Sequence, residues 1–367
     1  MLPRHEPPAA SGPGGASAEE GWCGHPRRPP RAEVAAVAPA AWRMPHGRPG
    51  ADGVPRAAAG RRALLLALLG TPFAHAAPPL PAADGVVEVA PGLFVMPGVH
   101  EEASAANLDA IGNVGFVVGG EAVAVVDPGG SHAHGLRLRR AVEARTRLPI
   151  RHLVLTHVHP DQVMGGAAFA DLRPEVIGHA RLPEALAQRG AFYQAMLARE
   201  MGEAAAAGSA PLPPTRLVED RLVLDLGGGR VLEIRAHPPA HTDHDLTLLD
   251  RATQTLWLSD LLFVERILAL DGDLHGWIRA LEALRRQPAA RAVPGHGPPA
   301  VPWPEAAAPL ERYLVALRDG TRAALAAGIG LAEAPDRVAT AEAAGWRLAE
   351  HYHGRNVTAA YRQLEWE

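Results

Sequence analysis

The heptapeptide THVHPDQ, Thr156 to Gln162, places His157, His159 and Asp161 on alternate residues and follows them with the amide of Gln162. Imidazole nitrogens and carboxylate oxygens are the donors that zinc and similar divalent ions accept. Helical zinc motifs space two histidines i, i+4, so this cluster is of another kind. If His157, Val158 and His159 continue a strand, alternation with period 2 turns residues 157, 159 and 161 toward one side, and Pro160 argues against a helix there. A chance cluster remains open on these residues alone, because the chain from residue 77 onward holds 14 histidines. Three more donors favour metal: His241 in PAHTDHD, Asp260 in LWLSDLLF and His296 in VPGHGPP. Each is expected where a strand gives way to a loop, at one rim of a sheet.

The elements that would position these donors follow from the hydrophobic pattern. VVEVAPGLFVMPG and NVGFVVGGEAVAVVDPGG read as strands, the second pair a hairpin turning at Gly119-Gly120. A helix is expected over His132–Thr146, a buried strand over RHLVLTH, and helical pattern over Pro183–Ala207. Residues 220–263 hold three or four strands, with a turn near Asp250-Arg251. A helix Gly276–Arg286, a strand RAVPGHG and helices near Glu305–Ala327, Thr340–Tyr352 and Asn356–Glu365 complete the chain. Strands followed by helices, twice over, predict an α+β fold of two β-rich halves with helices outside.

The 367 residues divide unevenly. Residues 1–60, rich in Pro, Ala, Gly and Arg and without periodicity, read as a disordered arm or a mis-assigned start, with Met44 the better initiator. Arg61-Arg62, the apolar run Ala63–Leu69 and Ala74-His75-Ala76 have the parts of a secretory signal peptide over 61–76, cleaved after Ala76. That run is too short for a membrane span. The folded domain is expected over 77–367, in a periplasmic or secreted protein. The single cysteine, Cys23, lies in the arm, so any metal in the domain must be held by nitrogen and oxygen. Residues 77–367 carry 27 arginines against 35 acidic residues and no lysine, which excludes the basic stripe of a nucleic-acid binder.

The series His157, His159, Asp161, His241, Asp260 and His296, with VVDPGG at Val125–Gly130 before it, resembles the metallo-β-lactamase superfamily. More closely, THVHPD, GHARLPEAL, HTDHDLTLLD, LWLSDLLFVE, AVPGHGPP and the tail HGRNVTAAYRQLEWE resemble the quinoprotein relay system zinc metallohydrolases, the SoxH-like branch. The resemblance implies a four-layer αββα sandwich with metal in the cleft between the sheets. It assigns one zinc to His157, His159 and His241, a second to Asp161, Asp260 and His296, a bridging role to Asp260 and loop support to Asp127. It also implies hydrolysis of an ester, thioester or amide by metal-bound hydroxide oriented by Asp161, a small-molecule substrate and a quinoprotein dehydrogenase partner. The alternatives are a non-hydrolytic, one-metal accessory protein for that partner and an iron oxygenase of the same fold.

Gln162 departs from the family, which has a histidine ligand of the second metal there. An amide oxygen is a weaker donor to zinc, so one tight zinc is expected, with the second site weaker or holding manganese or iron. His244 is a candidate substitute ligand or pocket residue and His179 a candidate pocket residue. For His179, Tyr193, Arg266, His353 and Asn356 the expected role is structural or at the surface, with contact to substrate the alternative.

Overall fold

A computed structural model describes residues 85–367. The expected arm, the expected signal peptide and residues 77–84 lie outside the described residues.

Seven strands form the first sheet in chain order: β1 (Val87–Ala90), β2 (Leu93–Met96), β3 (Val114–Val118), β4 (Val123–Val126), β5 (Ile150–Val154), β6 (Glu175–His179) and β7 (Arg216–Val218). The first four are antiparallel, and β4 to β7 run parallel. The second sheet contains β8 (Arg221–Asp225), β9 (Val231–Ala236), β10 (Leu246–Asp250), β11 (Thr255–Phe263), β12 (Arg291–His296) and β13 (Val301–Pro302). Its order is β13-β12-β11-β10-β9-β8, with only β11 and β12 parallel.

Helices α1 (His132–Arg145), α2 (Pro160–Val163), α3 (Leu182–Met201) and α4 (Glu203–Ala206) fall between the strands of the first sheet. Helices α5 (Leu274–Arg285), α6 (Ala308–Ala326), α7 (Thr340–Ala343) and α8 (Ala349–Leu364) follow β11. No helix among the described residues is long and apolar enough to cross a membrane.

Alternation within the strands builds the layers. On β4, Val123 and Val125 face a core shared with Leu138 and Val142 of α1 and Leu197 of α3. The intervening Ala124 and Val126 face Leu232, Ile234 and Leu248 of the other sheet. On β11, Trp257 joins that central layer, while Leu256 and Leu258 pack under Trp277 of α5, Tyr313 of α6 and Val357 of α8. Three apolar layers therefore separate helix, sheet, sheet and helix, which is the αββα sandwich.

Three local expectations need correction. His157 and His159 do not continue a strand, because β5 stops at Val154, and Pro160 opens α2 instead of preventing a helix. Proline is well placed at the first helical position, where its missing N–H has no partner to lose. The helix expected over Pro183–Ala207 breaks at Gly202, whose φ is 81°. The helix expected over Thr340–Tyr352 is two pieces. The Arg347 backbone between them bonds to Glu265 and Ile267, and α8 then runs through the expected break to Leu364.

Candidate metal centre

The loop after β5 is held by a buried carboxylate. Asp127 accepts from the Thr156 backbone N–H and from the Thr156 hydroxyl, both at 2.8 Å, and Ser259 Oγ lies 2.8 Å from Thr156 Oγ1. Burial pushes the Asp127 carboxyl up to about 7, against the pull of the His157 charge and the Thr156 hydrogen bonds. With its proton given to Asp127, Thr156 Oγ1 accepts from Nδ1 of His157 at 3.0 Å, and Nε2 of His157 is left with its lone pair directed away.

The other rings are fixed in similar ways. His159 turns Nε2 to Asp271 Oδ2 at 3.1 Å, leaving Nδ1 inward. His241 comes from the loop between β9 and β10 and packs edge-on against Trp277 at 4.9 Å. His296, the last residue of β12, turns Nδ1 to the Ile111 carbonyl at 2.9 Å and stacks on Phe263 at 4.8 Å. Asp260 lies within β11, not at its end, next to Ser259, whose φ of 46° marks an irregular register with β12. Gly295 stands beside it because a Cβ there would strike Asp260 Oδ1.

His159 Nδ1 is 3.1 Å from His157 Nε2 and 3.0 Å from His241 Nε2. Asp260 Oδ2 is 3.5 Å from His157 Nε2 and 3.3 Å from His241 Nε2. A tetrahedral zinc with bonds of about 2.0–2.1 Å has ligand-to-ligand edges of roughly 3.3–3.4 Å. The donor set suits such an ion and four of its six separations are close to these edges, while all four atoms lie within 4.8 Å of one another, so closing on an ion takes a small adjustment of the rings.

The remaining donors are arranged differently. His296 Nε2 is 3.3 Å from Asp161 Oδ2 and 3.5 Å from Asp260 Oδ2. Burial disfavours the His296 imidazolium, but the Asp260 charge and its hydrogen bonds to both carboxylates outweigh this and raise it to about 9. Gln162 is fully buried with its amide nitrogen toward the carboxylates, 3.4 Å from Asp161 Oδ2 and 3.5 Å from Asp260 Oδ1, while its Oε1 has no partner among the described residues. It is placed as a donor to the carboxylates. Gly112 makes room for it, since a Cβ there would strike the amide nitrogen.

A cavity of about 540 Å³ opens from His159, Asp161, Asp260 and His296. Its walls include Phe192, Tyr193 and Met196 of α3, Arg266 to Asp271 after β11, and Tyr352 and Asn356 of α8. His179 and His244, expected at the pocket, are both buried and do not line it, and neither does His353. His244 Nδ1 is engaged by Asp243, and burial lowers its imidazole to about 4. Asp271 and its ion-pair partner Arg189 were not anticipated; Asp271 lies 112 residues from His159, and no local spacing marks it.

Residues 108–296 match the family model of the metallo-beta-lactamase superfamily. No curated protein matches the chain. Among solved structures, the stereoselective inverting sec-alkylsulfatase Pisa1 from Pseudomonas sp. is similar with a TM-score of 0.59 and 16% identity, over 76% of this chain and 50% of its own. This chain thus spans about half the length of that sulfatase. A metallo-beta-lactamase from Pontibacter korlensis matches with a TM-score of 0.49 and 16% identity, over 63% and 98%. Another from Hirschia baltica matches at 0.45 and 17%, over 59% and 91%. With the matched segment covering just over half of the sequence and reaching from before THVHPDQ to His296, the chain belongs to the metallo-β-lactamase superfamily.

Proposed function

We propose that the protein is a zinc-dependent hydrolase acting on an ester, thioester or amide carbonyl. The observation that carries this is the convergence of three imidazole nitrogens and Asp260 Oδ2 within 4.8 Å of one another, four of their separations being 3.0–3.5 Å, at one end of a cavity. Zinc held by His157, His159, His241 and Asp260 would lower the pKa of a bound water and polarise a carbonyl. Burial opposes ionisation of Asp161, but the hydrogen bond and charge of His296 outweigh it and hold the carboxyl below its usual range. Asp161 is therefore an anion at neutral pH, suited to accept a hydrogen bond from the attacking water and so orient it. Phe192, Met196 and Ile267 supply an apolar wall that limits water beside the reacting group.

The resemblance to the SoxH-like branch supports an exported protein cut after Ala76, placed in the periplasm with a quinoprotein dehydrogenase as partner. The second reading is a non-hydrolytic, one-metal accessory of that partner. The Gln162 amide, donating where the family places a second metal's ligand, favours it. Metal analysis of protein from its native compartment, followed by assays on a generic ester and thioester, separates the two. The hydrolase reading expects zinc and turnover rising with pH through neutrality; full zinc without turnover supports the accessory.

A further inference from the structure

The cavity has a second polar feature besides the histidine cluster. Arg266 is only 4% exposed, yet Nη1 has no hydrogen-bond partner among the described residues. Nη2 donates to the Tyr352 hydroxyl at 3.2 Å, and the ion pair with Glu102, itself 45% exposed, is long at 3.8 Å. The guanidinium lies 5.6 Å from the centre of the Tyr352 ring, and Arg355 lies 5.7 Å from the same ring. Arg355 makes no ion pair among the described residues, and all three side chains line the cavity.

The other charges on these walls are matched except at Asp109, whose Oδ2 has no hydrogen-bond partner among the described residues and whose carboxyl burial pushes well above its usual range, toward the neutral form. Arg189 pairs with Asp271, Glu200 with Arg199, and Asp161 and Asp260 face His296. A buried guanidinium with an unused N–H is costly, and an anion is the partner that relieves it, a carboxylate best of all because it matches the planar fork. The backbone presenting Arg266 is fixed. Arg266 N–H donates to Val264 O, Ile267 N–H to Arg347 O, and Asn356 bonds to Leu268 and Leu270.

We propose that Arg266, assisted by Arg355 and framed by Tyr352, binds an anionic group, most suitably a carboxylate, on a ligand whose apolar body lies along Phe192, Met196 and Ile267. Combined with the hydrolase reading, on which this part rests, the substrate is an ester, thioester or amide that carries a carboxylate apart from the bond being broken.

Binding tests this without turnover. Naphthaleneacetate and the neutral naphthaleneacetamide, alike in shape, are titrated by calorimetry into zinc-loaded and metal-stripped full-length protein. The carboxylate is expected to bind about tenfold or more tightly than the amide in both forms, as a hydrogen bond to a charged group provides. Arg266→Gln should remove the difference with amide affinity unchanged, and Arg355→Gln should reduce it about twofold. If Arg266→Gln does not fold, Arg266→Lys keeps the charge without the fork and should weaken the preference. Equal binding of both probes, or a preference that survives at Arg266, overturns the proposal. A preference that vanishes on stripping the metal also overturns it, since the anion then sits on the ion. None of these results depends on hydrolysis, so the subsite and the reaction can fail separately.

Discussion

The two halves of the candidate metal centre both approach Asp260 Oδ2 but are built on different terms. In the first, His157 and His159 each have one ring nitrogen engaged by a neighbour, Thr156 and Asp271, so the other points inward with its lone pair. In the second, His296 is held toward its protonated form between two carboxylates, and Gln162 offers hydrogens in place of a lone pair. One half is preorganised for a cation, whereas the other is balanced without one. Affinity depends on the direction each donor faces as well as on which residues are present.

The largest test of this contrast is to remove a donor from the first half. His159→Ala should reduce bound zinc from one per chain to near none by plasma emission analysis, and stoichiometric zinc in that variant would defeat the assignment. Asp260→Ala removes the atom shared by both halves. Turnover should drop by a factor of roughly tens or more and both affinities should weaken, so wild-type turnover would exclude a shared role.

Asp271→Asn leaves every inward donor in place and weakens the partner shared by His159 and Arg189. A loss of about 10-fold to 100-fold in zinc affinity is expected in a chelator competition, with little change in far-ultraviolet dichroism. Gln162→His should add a second tight zinc without altering the first. If chelator titration shows equal affinities in the natural protein, or no gain in the variant, the donor orientation of the amide does not limit the second half.

The last test concerns pH. With the His296 pKa raised to about 9, the imidazole is protonated below that pH, and a second ion must displace the proton. Its affinity should therefore rise about tenfold per pH unit up to roughly 9 and then level off. A flat profile between neutrality and that point would show that His296 is not a ligand of the second ion.

Much of this was legible in the sequence. Continuous apolar runs disclosed β4 and β11, and the polar donors stood out against those runs. The helix at Pro160 was misjudged because proline was read as a breaker, although it starts α2. The split near Arg347 arises from pairing with residues 265–267, a contact across about 80 residues that no local pattern carries. Asp271 and the Arg266–Tyr352 pair are of the same kind, their chemistry arising only when the chain beyond β11 meets α3 and α8. The orientation of the Gln162 amide likewise depends on Asp260, 98 residues away.

Helix α8 supplies Tyr352, Arg355 and Asn356 to the cavity, but none of the six histidine and aspartate donors. Asn356 anchors it to the backbone of Leu268 and Leu270 and to the Tyr313 hydroxyl. With Val357, Ala360 and Leu364 held in the core, substitutions at its cavity-facing positions can reshape the entrance without touching those six donors. What enters the cavity can thus be retuned at one terminal helix while the cluster of polar donors beneath it stays as it is.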